Sequence, residues 1–213
     1  MPWFNSLIDK HMNASINIAR FLVLLTAMLF LILPSGHSAH MHALSLQTST
    51  NEIQSHLLLL YNTHTGERIN VVYRESEHYI PSALAKLDYF LRDHRTGDVR
   101  HFDPRLYDIL SDLTMSVGRP GAEIDIVCGY RTPSTNEFLR ARYAGVAKNS
   151  LHIQGQAIDL RMPGINTLTL RRAALNLASG GVGYYPHSDF IHVDTGRVRH
   201  WCFNCSASIV LGD

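Results

Sequence analysis

Apolar positions fall into two kinds of run along this chain. One is a continuous block near the start, Phe21 to Leu33, reading FLVLLTAMLFLIL and closed by Pro34. The others are short segments with a period of two or of about 3.6. Leu57 to Tyr61 and Ile69 to Tyr73 are β-rich and separated by Asn62-Thr-His-Thr-Gly66-Glu67, which predicts a hairpin with glycine in its turn. Pro81 opens a helical stretch in which Leu84, Leu87, Phe90 and Leu91 recur on one face. Asp103-Pro104 reads as an N-cap followed by proline at the first helical position. Leu106, Ile109, Leu110 and Leu113 form the stripe of that helix, which Gly118 ends.

Beyond it, Ile124 to Val127 is a short strand running into Cys128-Gly-Tyr-Arg131. Thr132-Pro-Ser-Thr-Asn136 reads as a turn into a helix that carries Phe138 and Leu139. Ala157 to Leu160 is a strand stopped by Pro163-Gly164, and Leu168 to Leu177 is a helix ended by Gly180-Gly181. Val182 to Tyr185 and Phe190 to Val193 are read as the last two strands, with Pro186 to Asp189 turning between them. Helices first and closely spaced strands later predict an α+β fold with a small, mostly antiparallel sheet and packed helices.

The apolar block follows Arg20, and small residues (Gly36, Ser38, Ala39) come behind it. It is shorter than the roughly 20 residues of a bilayer span, so residues 1–39 read as an export signal, or as an N-terminal anchor if it is not cleaved. Residues 40–55 read as a linker, 56–205 as the folded domain and 206–213 as a tail.

Composition alters the picture in two places. With 19 Lys plus Arg against 18 Asp plus Glu, the net charge of +1 argues against a nucleic-acid partner. The 13 histidines raise the prospect of metal or acid–base chemistry without saying which of them matter. Strand alternation narrows the choice. On Ala157 to Arg161, Asp159 lies on the face opposite Ile158 and Leu160; on Phe190 to Asp194, His192 and Asp194 oppose Ile191 and Val193. Adjacent strands therefore bring Asp159 and His192 together, and His152 reaches them from the preceding loop. Two histidines and one carboxylate leave an open position on a tetrahedral zinc ion. Such an ion makes water a nucleophile at neutral pH. Asp189 is the candidate base, with Asp194 as its rival or as a hydrogen-bond partner of a ligand. His187 is a candidate oxyanion donor. Arg131 suits bidentate grip of a substrate carboxylate, or a structural salt bridge. Cys202 and Cys205 read as a local disulfide in an exported protein. Cys128 is either a buried strand residue or a partner of one of them.

Ser150-x-His152-x-x-Gly155-x-Ala157-x-Asp159, followed by His187-x-Asp189-x-x-His192 and by Gly129-Tyr130-Arg131, resembles the zinc D-Ala-D-Ala metallopeptidase family, whose fold is shared by hedgehog-type domains. Tyr61-Asn-x-His-Thr-Gly-Glu67, Gly129-Tyr-Arg-Thr-Pro133, Gly180-Gly-Val-Gly-Tyr-Tyr185 and His192-Val-Asp-Thr-Gly196 are similar to its exported, murein-endopeptidase-K-like branch in Gram-negative bacteria. The likeness runs from Leu57 to Trp201. It implies one zinc ion on His152, Asp159 and His192, with Asp189 as base, His187 beside the oxyanion and Arg131 on the substrate. The implied activity is periplasmic hydrolysis of cross-links between peptidoglycan stem peptides. A carboxypeptidase trimming stem ends, or a non-catalytic zinc-stabilised module that binds peptidoglycan or a protein, are the competing readings.

Overall fold

Alternation along the strands decides where the core lies. The structure, a computed structural model, describes residues 54–205; the expected export segment, nearly all of the linker and the tail lie outside the described residues. These residues belong to one unit, Asn51–Asp213. The predicted hairpin is β1 (Ser55–Asn62) and β2 (Arg68–Glu75); β1 already takes Ser55 from the expected linker. A two-residue strand, β3 (His78–Tyr79), extends it. Helices α1 (Pro81–Phe90) and α2 (Arg105–Ser116) follow, then β4 (Ile124–Cys128), α3 (Pro133–Arg140) and β5 (Ala157–Arg161). The chain continues through α4 (Thr167–Leu177), β6 (Gly181–Tyr185), β7 (Phe190–Asp194) and β8 (Arg199–Cys202).

All the strands join one sheet in the order β3-β2-β1-β4-β5-β7-β6-β8. Its pairings are antiparallel except β1 with β4 and β6 with β8, so the α+β, mostly antiparallel expectation holds. Leu58 and Leu60, Ile124 and Ile126, Ile158 and Leu160, Val182 and Tyr184, Ile191 and Val193 are all buried in one core. Helix α2 packs against β1, β7 and α4, and α4 against β6 and β7. Burying each such aliphatic side chain is worth about 1.5–3 kcal/mol. A one-residue slip of β5 or β7 would exchange these residues for Asp159 and His192, so burial pins the register that builds the site.

Four local expectations shift. The sheet is larger than anticipated, because β3 and β8 were not read as strands. Val182–Tyr185 and Phe190–Val193 are therefore not the last two strands. Pro104 is the N-cap of α2 rather than its first residue, while the Asp103 carboxylate still accepts from the Arg105 amide at 3.1 Å. Thr132–Asn136 is no free turn: Thr132 caps α3, accepting from the Thr135 amide at 3.1 Å, and Pro133 starts the helix.

Candidate active site

A single row of residues crosses five strands on the sheet face away from the main core. Register places Cys128 of β4 beside Asp159 of β5, Asp159 beside His192 of β7, His192 beside Gly183 of β6, and Gly183 beside Trp201 of β8. Cys128 has the same parity as the core residues Ile124 and Ile126. It reaches the site row because the register with β5 shifts between Ile126 and Cys128, a bulge that re-aims the side chains that follow.

His152 closes the group from above. A short 3-10 turn, Leu151–Gln154, is capped by the Ser150 hydroxyl and ends at Gly155. His152 Nε2 lies 3.2 Å from Asp159 Oδ1 and 3.2 Å from His192 Nδ1, and His192 Nδ1 lies 2.9 Å from Asp159 Oδ1. The outer nitrogens settle the tautomers. His152 Nδ1 is 2.8 Å from the Gly129 carbonyl, and His192 Nε2 is 2.9 Å from Asp194 Oδ2. Carbonyl and carboxylate oxygens only accept, so both outer nitrogens donate, and the inner nitrogens are the ring atoms that face Asp159. Three potential ligand atoms thus converge, two oriented imidazole nitrogens and a carboxylate oxygen, a set suited to zinc once the inner nitrogens are deprotonated.

The electrostatics agree. Burial opposes a charged His152, yet the Asp159 carboxylate and then the Cys128 thiol outweigh it, and His152 holds a proton well above the ordinary histidine range. Burial likewise opposes charge on Asp159, but His152 and His192 pull its carboxyl far below the usual range. The pocket asks for positive charge at this point. The Cys128 thiol lies within 4.8 Å of the ligand atoms of His152 and Asp159, so it borders the same centre. His192 Nδ1 lies at 3.2 and 2.9 Å from the same two ligand atoms.

Behind His192, Asp194 is fully buried. Its Oδ1 accepts from the amides of Gly181 (3.0 Å) and Gly196 (2.9 Å), and its carboxylate takes both Arg199 terminal nitrogens at 2.9 and 2.7 Å. Asp194 is therefore the residue that orients His192, and its oxygens are engaged away from the cleft, which removes it as a candidate base. Glycines on β6 make room for this. A Cβ on Gly181 would come 2.3 Å from Arg199, and one on Gly183 would come 2.6 Å from the Trp201 indole. Without side chains there, Arg199 reaches Asp194 and Trp201 lies against His192, ring centroids 5.1 Å apart. Gly183→Val should destabilise the fold by about 1–3 kcal/mol through overpacking. Thermal denaturation checks it; an unchanged melting temperature would remove the spacing argument.

These groups floor a cavity of about 550 Å³, whose walls include His64, His94, Arg131, Tyr185, Trp201 and Phe203. Arg131 is buried, its Nη2 lies 3.9 Å from Asp159 Oδ2, and its Nε has no partner. The guanidinium thus borders the His152, Asp159 and His192 group as an ion-pair partner of Asp159 and lines the cavity. Asp93 fixes its segment by accepting from the Thr132 amide (2.9 Å) and hydroxyl (3.0 Å). Tyr185 stacks on Phe190 with centroids 4.5 Å apart. Its hydroxyl accepts from Trp201 Nε1 at 3.1 Å, and burial, foremost, keeps the phenol protonated. A disulfide joins Cys202 and Cys205 around Phe203, and Cys128 is free.

Of the residues singled out from sequence, His152, Asp159, His192 and Arg131 come together. Asp189 and His187 do not. Both are exposed and neither lines the cavity. The turn Pro186–Ser188 leaves Asp189 in the left-handed region (φ 51°), where its carboxylate accepts from the Thr167 hydroxyl at the start of α4. That bond turns the Asp189 carboxylate toward the helix. Sequence reading passed over Gly183, Tyr185 and Trp201 as site residues. The period-two series Gly181, Gly183, Tyr185 was a usable signal; Trp201 had none, because β8 was not recognised.

Residues 50–201 match the family model described as peptidoglycan L,D-endopeptidase MepK. The chain is similar to a probable peptidoglycan L,D-endopeptidase MepK of Haemophilus influenzae, with 46% identity over 145 residues, covering 68% of this chain and 78% of that protein. It is equally similar to the peptidoglycan L,D-endopeptidase MepK of Escherichia coli K12, 46% identical over 145 residues, covering 68% of this chain and 79% of that protein.

Proposed function

The chain belongs to the peptidoglycan L,D-endopeptidase MepK family of metallopeptidases, and from that premise we propose that it is an exported zinc endopeptidase that opens peptide cross-links of peptidoglycan. The observation that carries this reading is the convergence of His152 Nε2, Asp159 Oδ1 and His192 Nδ1 within 3.2 Å of one another at the floor of a cavity. These residues would hold one zinc ion, which when bound would supply Lewis-acid polarisation of the amide carbonyl and activation of water. The protein's own part is orientation. Gly129 and Asp194 fix the two imidazoles, and Arg131, on the cavity wall, meets a carboxylate of the stem peptide. Following the names of the relatives, the bond cut joins an L- and a D-configured centre.

Export is supported by the apolar block Phe21 to Leu33 behind Arg20 and by the Cys202–Cys205 disulfide, which belongs in an oxidising compartment such as the periplasm. Residues 1–39 then serve as the signal or anchor, with the catalytic domain at 56–205.

Digestion of purified sacculi, with zinc and with a chelator, tests the proposal. Release of uncross-linked muropeptides that the chelator stops is the expected result. Loss of only the terminal stem residue would make the protein a carboxypeptidase. Intact cross-links with zinc bound would leave a binding module. The same assay decides the standing of Asp189. Because its carboxylate is held by Thr167 outside the cavity, Asp189→Asn should keep zinc and lose much less than the roughly 10²–10⁴-fold of a missing general base. A loss within that range would return Asp189 to the base role that the family resemblance implies.

A further inference from the structure

With His187 outside the cavity, the oxyanion side of the centre needs another donor, and the structure has one that no motif assignment uses. Tyr185 lies two residues beyond Gly183 on β6, so it stands on the site face about 7 Å along from the row containing His192. Its ring stacks on Phe190 (4.5 Å) and meets Phe203 at a tilt (5.8 Å), contacts that restrict the direction of the hydroxyl. Trp201, itself packed on His192, donates its indole N–H to that oxygen at 3.1 Å. One lone pair of the phenol is thereby occupied, and the phenol's own O–H has no acceptor among the described residues. It is a donor on the cavity wall, on the opposite side of His192 from Asp159 and Arg131.

We propose that the Tyr185 hydroxyl is a catalytic hydrogen-bond donor to the carbonyl oxygen of the scissile amide. The inference rests on the peptidase reading above. When water attacks the amide carbon, a C–O bond forms and the carbonyl π pair moves onto oxygen. Tyr185 donates to that oxygen without surrendering its proton. When the pair returns, the C–N bond breaks and the protons of the attacking water end on the leaving nitrogen, giving carboxylate and ammonium. Trp201 acts as a positioning residue. Its N–H ties down the phenol oxygen and strengthens the phenol as a donor, since hydrogen bonds in a chain polarise one another. A preorganised donor aimed at developing charge is typically worth ~10²–10³-fold in kcat.

Tyr185→Phe tests this, because it preserves the ring contacts with Phe190 and Phe203 and removes only the hydroxyl. Turnover of a cross-linked muropeptide dimer should fall about 10²-fold or more in kcat. KM, bound zinc and the melting temperature should stay near wild type. As a readout independent of turnover, calorimetric affinity for a phosphinate analogue of the dimer should fall by a similar factor, while affinity for an uncleavable ground-state peptide is retained. Wild-type kcat in the variant, or equal loss of phosphinate and ground-state binding, would overturn the role of Tyr185 alone. A wild-type protein that, with zinc, neither opens sacculi nor binds the phosphinate would overturn the peptidase reading and this inference with it.

Discussion

His152→Ala is expected to lose bound zinc and hydrolysis together. The imidazole is almost completely buried, and its two nitrogens do different work. Nδ1 donates to the Gly129 carbonyl, while Nε2 faces Asp159 and His192 at 3.2 Å each. On the proposed ligand set, truncation leaves two protein ligands where a catalytic zinc site uses three. It also leaves Asp159, which is 7% exposed, without the charge partner that holds its carboxyl down. Losing a hydrogen bond to a ligand costs roughly 10–100-fold in metal affinity; losing the ligand itself should cost considerably more. Metal analysis of the purified variant should find little zinc, and sacculus digestion should match the chelated wild type. A His152→Ala protein that keeps stoichiometric zinc and cleaves would show that the ligand set is misassigned.

Asp194→Asn is expected to damage the protein in two separable ways. The carboxylate receives His192 Nε2–H, both terminal nitrogens of Arg199 and two backbone amides, and its side chain is fully enclosed. An amide keeps the shape but turns a donor toward groups that themselves only donate. It also leaves the Arg199 guanidinium unpaired. Breaking a buried pair from one side typically costs about 3–5 kcal/mol. The lost hydrogen bond to His192 should weaken zinc binding roughly 10–100-fold. Chemical denaturation and zinc titration measure the two effects. The pH dependence has a definite sign. Burial alone would raise the carboxyl, but the bonds from His192 and Arg199 hold it well below the ordinary carboxylate range. The folded value thus lies below the unfolded one of about 3.9. The stability Asp194 supplies is then fully present above about pH 4 and is lost as pH falls toward the folded value. Metal-free Asp194→Asn should lack that part of the acid slope. A variant with wild-type stability and zinc affinity would show that His192 needs no carboxylate behind it.

Legibility of the site from sequence differed by residue for physical reasons. Asp159 and His192 were recoverable because period two places them opposite Ile158, Leu160, Ile191 and Val193, and burial enforces that division. His152 followed from its loop position just before β5. Asp194 could be narrowed to two roles but not assigned, since alternation gives its face and says nothing about which groups meet its oxygens. Asp189 was expected beside the metal ligands, and its carboxylate lies outside the cavity. Spacing set it three residues before His192, whereas one left-handed residue and the Thr167 hydroxyl decide where its carboxylate points. Strand β8, read from Arg199-His-Trp-Cys202, carries too little apolar alternation to be recognised, and its parallel pairing with β6 is set by contacts distant in sequence.

By itself, then, the sequence determined the order of the elements apart from β3 and β8, the α+β class and the shared face of Asp159 and His192. Those depend on local periodicity and on the partition between apolar core and polar face. Only the tertiary structure decided the rest. The bulge after Ile126 turns Cys128 toward the centre, the bare glycines of β6 let Arg199 and Trp201 reach across a neighbouring strand, and the Asp194 carboxylate locks onto His192. Each is a matter of register and close approach between segments far apart in the chain, where a single shifted residue or one added Cβ changes which atoms meet.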